Sequence, residues 1–142
     1  MTESSNTGER EFEVVVWGAT GYTGRLVAGY LAEHYGVGKD LRWAIGGRSE
    51  SRLKEIRASL GKAAAKLPMI VADSHDAESL KELVKRTAVV CSTVGPFAKY
   101  GSELVAACAE HGTDYCDITG EAHWIRAMLD ANEKAAKKSG KE

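Results

Sequence analysis

The stretch from Val14 to Gly24, VVVWGATGYTG, decides the fold. Val14, Val15, Val16 and Trp17 form a bulky, largely β-branched run that reads as a strand. Gly18, Gly21 and Gly24 follow at intervals of three. Beyond them YTGRLVAGYLAEHYG carries apolar residues at Leu26, Val27, Tyr30, Leu31 and Tyr35, the spacing of a helix. A strand therefore passes through a glycine turn into a helix. In that setting Gly18 permits the tight turn, Gly21 lets a pyrophosphate approach the N–H groups of the helix start, and Gly24 lets the helix pack on the strand. Thr20 and Thr23 add hydroxyl donors. The pattern G-x-x-G-x-x-G only approximates G-x-G-x-x-G, and glycines also serve plain turn chemistry. No G-x-x-x-x-G-K-[ST] is present, so the turn is not a Walker A loop.

Outward from this unit the alternation repeats. LRWAIG (41–46) reads as a second strand, and the helix after it buries Leu53, Ile56 and Leu60. LPMIVA (67–72) precedes a helix with Leu80, Leu83 and Val84 as its stripe. AVVCSTV (88–94), a Gly-Pro break and SELVAACAEHG form the fourth unit. TDYCDIT (113–119) precedes a last helix with Ile125, Met128, Leu129 and Asn132 on one side. Five strands joined by helices through short links imply right-handed crossovers and a parallel sheet. The expected fold is α/β, a doubly wound parallel (Rossmann) sheet in the order 3-2-1-4-5 with helices on both faces. Residues 1–11 read as a disordered lead-in and 12–142 as one NAD(P)-binding domain. The chain stops where a sixth strand is expected, so it reads as a fragment lacking a C-terminal substrate domain.

The 142 residues are 44% hydrophobic and 27% charged, with a net charge of −1. These values fit one ordinary domain, give no footprint for nucleic acid, and include no run near the ~20 apolar residues of a membrane span. The polar start reads as having no signal-peptide core, so the cytoplasm is the expected compartment. Cys91, Cys108 and Cys116 lack metal-ligand spacing and read as buried reduced thiols; no metal is expected.

The residues after the second strand speak to the choice of cofactor. An NAD site usually has an acid there, whereas GGRSESR offers Arg48 and Ser49, a guanidinium and a hydroxyl suited to a 2′-phosphate. NADP (NADPH) is expected over NAD. Arg52 either assists or is a solvated first-turn residue. Asp40 has the right count from Gly18 but precedes the strand and lies at the wrong edge. Ligands of such sheets sit beyond the carboxyl strand ends, where Asp73, Val94, Gly95, Pro96 and Phe97 also fall. Asp73 either accepts from the adenine amino group or caps the next helix. Gly95 and Pro96 either pass the nicotinamide ribose or make a turn. Of Asp117 and Glu121 in DITGE, one either orients substrate or, as Glu121, stands where an acid favours a helix N-terminus; His34 and His111 fall in last helical turns, and His75 and His123 have no partner in view. The catalytic residues stay unassigned.

VVVWGATGYTGRLVAGYLAEHYG, LRWAIGGRSESRL and VVCSTVGPFAKYGSELVAACAEHGTDYCDITGE together resemble the N-terminal domain of the saccharopine dehydrogenase-like oxidoreductases, a group that includes trans-acting enoyl reductases. The resemblance implies an NADP-binding domain followed by a substrate domain. It implies that Gly18, Ala19, Thr20, Gly21, Tyr22, Thr23 and Gly24 hold the diphosphate and that Arg48 and Ser49 hold the 2′-phosphate, with Gly95, Pro96 and Phe97 beside the nicotinamide. Gly47 stands where an alanine is common and Phe97 where a tyrosine is common. The implied reaction is hydride transfer to an enoyl, lipid-linked substrate or an imine, through the missing domain and compatible with a homodimer. The other reading is a non-catalytic NADP-binding sensor or regulatory module.

Overall fold

The apolar run at the start forms β1 (Phe12–Trp17), the central strand of a five-stranded parallel sheet ordered β3-β2-β1-β4-β5. The computed structural model describes residues 10–140, so most of the expected lead-in lies outside the described residues. After β1 come α1 (Tyr22–Tyr35), β2 (Trp43–Gly47) and α2 (Glu50–Ser59), then a 3-10 turn, β3 (Met69–Val71) and α3 (Ala77–Val84). The second half holds β4 (Thr87–Ser92), α4 (Phe97–Tyr100), α5 (Ser102–His111), β5 (Asp114–Asp117) and α6 (Ala122–Ser139). This is the expected doubly wound order. The single-turn helix α4 is an addition, formed where the sequence reads as a Gly-Pro break.

β1 is apolar throughout because both of its faces are covered. Val15 and Trp17 join Val90, Leu80, Leu83, Leu104 and Cys108 in one core cluster. Val16 joins Ala28, Ile45, Leu53, Ile56 and Leu67 in the other. The stripe expected on the first helix holds in part: Val27 and Leu31 pack against the second core cluster. Gly24 and Ala28 face the sheet, while Tyr22, Leu26 and Tyr30 are exposed. The cause is steric: at its start the helix lies so close to the β1 turn that no side chain fits at Gly24. In α6 only Trp124 is buried. Ile125, Met128 and Leu129 instead line a groove against α5 and β5, the last strand of the sheet.

At the amino edge of the sheet a single guanidinium ties four segments together. Arg10 Nη1 donates to Val84 O at 2.9 Å, to Thr87 O at 2.8 Å and to Thr113 Oγ1 at 2.7 Å, and its Nη2 donates to His111 O at 2.9 Å. Thr113 Oγ1 in turn donates to Val84 O. Glu11 pairs with Arg86 at 2.9 Å. Replacing Arg10 by Ala should therefore strip donors from several partly buried acceptors and cost about 2–4 kcal/mol. Urea denaturation of the Arg10→Ala chain checks this; a loss below about 0.5 kcal/mol would show that the guanidinium contributes nothing net.

Candidate cofactor site

Three glycines with three different constraints shape the turn after β1. Gly18 has φ of +90°, and a Cβ there would lie 2.5 Å from Val94 Cγ2 and 2.8 Å from Thr93 Oγ1. A Cβ on Gly24 would fall on the carbonyl oxygen of Gly18. Gly21 is different: its φ is −83°, and the nearest atom to an added Cβ is Gly18 O at an ordinary 3.5 Å. The fold therefore demands the first and third glycines and leaves the second free of any internal requirement.

The turn is held by its own backbone. Gly18 N and Ala19 N both donate to Gly46 O at 3.0 and 3.2 Å, and Gly21 N donates to Gly18 O at 3.0 Å. Thr93 Oγ1 donates to Trp17 O and to Gly18 O at 3.0 and 3.2 Å. No side chain caps α1 and no acid stands in its first turn. By contrast α2 is capped by Ser49 with Glu50 beside it, and α3 by Asp76 with Glu78. An uncapped helix start with no competing carboxylate suits an anion.

A cavity of about 210 Å³ opens beside this turn, lined by Gly18, Thr20, Arg48, Ser49, Arg52 and Asp73, with Val94 also in its wall. The structure thus brings together six of the site residues expected from sequence, with Arg52, for which both an assisting and a solvated role stood open, beside them. Trp17 lines it as well, and its buried indole N–H has no hydrogen-bond partner among the described residues. Ser74, His75 and Tyr100 complete the wall. Sequence reasoning missed Tyr100, which enters only because the unforeseen helix α4 carries it back toward β3. His75 stacks at a tilt against Tyr100 at 5.6 Å and lies 3.3 Å from Glu103.

Other expected site residues lie elsewhere. Ala19 and Gly24 are buried under the turn, and Tyr22 is 82% exposed outside it. Thr23 is half-buried in the first turn of α1. Asp73 does not cap α3, a task that falls to Asp76; its Oδ1 accepts from His75 N at 2.8 Å and shapes the turn after β3. Gly95 and Pro96, joined by a cis peptide, are exposed, whereas the Phe97 ring is turned inward against Trp124 at 5.7 Å. Only the first two of that trio face outward.

The carboxylates of DITGE are occupied structurally. Glu121 Oε2 and Oε1 accept from Phe97 N at 2.7 Å and Ala98 N at 3.0 Å, capping α4 from across the loop. Asp117 accepts from Tyr115 Oη at 2.6 Å and from Thr119 N at 3.0 Å. Burial, reinforced by that hydrogen bond, pushes the Tyr115 phenol well above its ordinary value, so it remains a donor. Cys108 is buried as expected, but Cys116 is exposed, because the helices on its side of the sheet pack over β1, β2 and β3.

A larger cavity of about 350 Å³ lies between α5, β5 and α6. It is mostly apolar and its charged members are the acids Asp117 and Glu133. It offers a phosphate no cation, so the smaller cavity is the better candidate for a nucleotide.

Fold and glycine turn together define a Rossmann domain of the dinucleotide-binding class. The chain belongs to the saccharopine dehydrogenase NADP binding domain family, whose model matches residues 14–141. It is 46% identical over 132 residues to a trans-acting enoyl reductase of Mycobacterium tuberculosis H37Rv, covering 93% of this chain and 31% of that protein. A trans-acting enoyl reductase of Mycobacterium ulcerans is 42% identical, with 95% and 32% covered. The chain thus spans about a third of the length of these relatives. Among solved structures it is similar to a triphenylmethane reductase of Citrobacter sp., with TM-score 0.64, 19% identity, and 90% of this chain and 46% of that chain covered. The saccharopine dehydrogenase (L-Glu forming) of Saccharomyces cerevisiae gives TM-score 0.60 at 15% identity, with 83% and 24% covered. These two similarities bear on the fold alone. No helix among the described residues is long and apolar enough to cross a membrane.

The Glu121 cap has a measurable consequence. In Glu121→Ala, amide hydrogen exchange at Phe97 and Ala98 should accelerate at least about tenfold while β1 and β4 keep their protection. Unchanged exchange at those two amides would contradict the cap.

Proposed function

We propose that this chain binds NADP(H) in preference to NAD(H), with the pyrophosphate over Gly21 at the start of α1. In this reading the 2′-phosphate lies against Arg48, Ser49 and Arg52, and the nicotinamide runs toward Gly95 and Pro96. One observation carries it: a single cavity joins Gly18 and Thr20 of the turn to Arg48, Ser49 and Arg52 at the end of β2. The residues after β2, Arg48 and Ser49, put a guanidinium where a ribose-binding acid would favour NAD. The residues present fit the group in a second respect. The uncapped start of α1, the free approach at Gly21 and the unpartnered Trp17 N–H each accommodate an acceptor-rich ligand.

We further propose that the whole protein is a reductase transferring hydride to an enoyl substrate carried by a lipid, with an imine as the other substrate class to test. The identity to trans-acting enoyl reductases supports the enoyl reading. The substrate would be held by polypeptide outside this chain, since the relatives are about three times as long. When bound, the nicotinamide supplies the hydride; the residues of this chain bind it, orient it and hold its loops. Asp117 and Glu121 are engaged in those loops, and neither is assigned acid–base work.

Fluorescence titration of the chain with NADPH tests the proposal, with Trp17 in the cavity wall as donor to the dihydronicotinamide. Arg48→Ala should weaken NADPH binding about 10- to 100-fold, the loss of one charge-assisted contact, and leave NADH binding within about twofold. An equal fall for both, or no binding by the parent chain, would overturn the reading.

A further inference from the structure

We propose that Cys91 and Cys116 are a two-electron redox pair, oxidised by peroxides to a cross-strand disulfide at the carboxyl edge of the sheet. The two are register partners on the adjacent parallel strands β4 and β5. Their side chains therefore leave the same face of the sheet. Neighbouring strands lie about 4.8 Å apart, inside the roughly 4.4–6.8 Å that disulfides span between Cα atoms.

The face they share is the thinly covered one. Val90 and Tyr115, one residue back on each strand, turn to the opposite face and pack with Leu104 and Cys108. On the cysteine side the helical layer packs over β1, β2 and β3, which leaves Cys116 exposed and Cys91 half-buried. An oxidant reaches Cys116 first. Cys108 has no part in this chemistry: it is buried in the other cluster, where burial pushes its thiol up.

The pair also divides its roles. The neighbouring Cys91 thiol stabilises the Cys116 thiolate and lowers its pKa to about 7, against the opposing effects of burial and of Asp117. The same contact, with burial, holds the Cys91 proton in place. Thiolate is the reactive form, so Cys116 attacks. Its sulfur bonds to one oxygen of hydrogen peroxide, the O–O bond breaks, and the hydroxide released takes a proton to become water. Cys91 sulfur then attacks the Cys116 sulfenic acid; the S–S bond forms, the S–O bond breaks, and a second water leaves with the Cys91 proton. Two thiols lose two electrons and two protons, and peroxide becomes two waters.

The 142-residue chain treated with a small excess of hydrogen peroxide at neutral pH tests this. Its mass should fall by about 2 Da, peptide mapping should join Cys91 to Cys116, Cys108 should remain alkylatable, and dithiothreitol should reverse the change. Cys91→Ser should accumulate a dimedone-trappable sulfenic acid on Cys116, and in Cys116→Ser thiol loss should slow at least about tenfold. A mass that stays constant or rises only by oxygen additions, or a disulfide linking two chains, would overturn the proposal. The mapping on the unaltered chain decides it even if a variant fails to fold.

Discussion

The close seating of α1 on the turn after β1 is the contact on which the rest of the domain depends. Gly24 lies so near the Gly18 carbonyl that no side chain fits between them, and Gly18 adopts a positive φ beneath Thr93 and Val94. This proximity sets which face of α1 is buried, turning Ala28 inward and Leu26 and Tyr30 outward. It also fixes where the helix begins. The uncapped first turn of α1 therefore lies beside the cavity that Arg48, Ser49 and Arg52 reach from the end of β2. Packing and the proposed binding site share one structural cause.

Much of this was legible in the sequence because it rests on local patterns. Apolar runs separated by amphipathic segments carry the strand order, since short right-handed crossovers leave few other topologies. The cavity wall contains Gly18, Thr20, Arg48, Ser49, Asp73 and Val94 because all of them follow strand ends, the one edge where such sheets bind ligands. The less legible features arise from contacts between distant segments. Nothing near Glu121 in sequence announces that its carboxylate caps α4 more than twenty residues earlier. Tyr100 enters the cavity wall only through that helix. The inward turn of Phe97 requires Trp124, and the exposure of Cys116 follows from how far the helical layer extends, which composition does not encode.

The two ends of the sheet do different work. At the amino edge Arg10 gathers β4, α3 and the start of β5 into one hydrogen-bonded knot, a stabilising role. At the carboxyl edge nearly every polar group shapes a loop: Thr93 under the glycine turn, Asp73 in the turn after β3, Asp117 and Glu121 in the turns after β5. Arg48 and Arg52 make no ion pair among the described residues and both line the cavity, which leaves them available to an anion. The redox pair stands on the same edge, with Ser92 and Asp117 as the next register partners.

In the proposed cofactor site Gly18 and Gly24 serve the fold while Gly21 serves the ligand. Parallel thermal denaturation and NADPH calorimetry on Gly21→Ala and Gly24→Ala separate the two roles most directly. Gly21→Ala should keep its unliganded stability within about 1 kcal/mol but lose NADPH affinity at least about tenfold, whereas Gly24→Ala should be destabilised before any ligand is added. A Gly21→Ala chain that binds NADPH as the parent does, or a Gly24→Ala chain of unchanged stability, would contradict it.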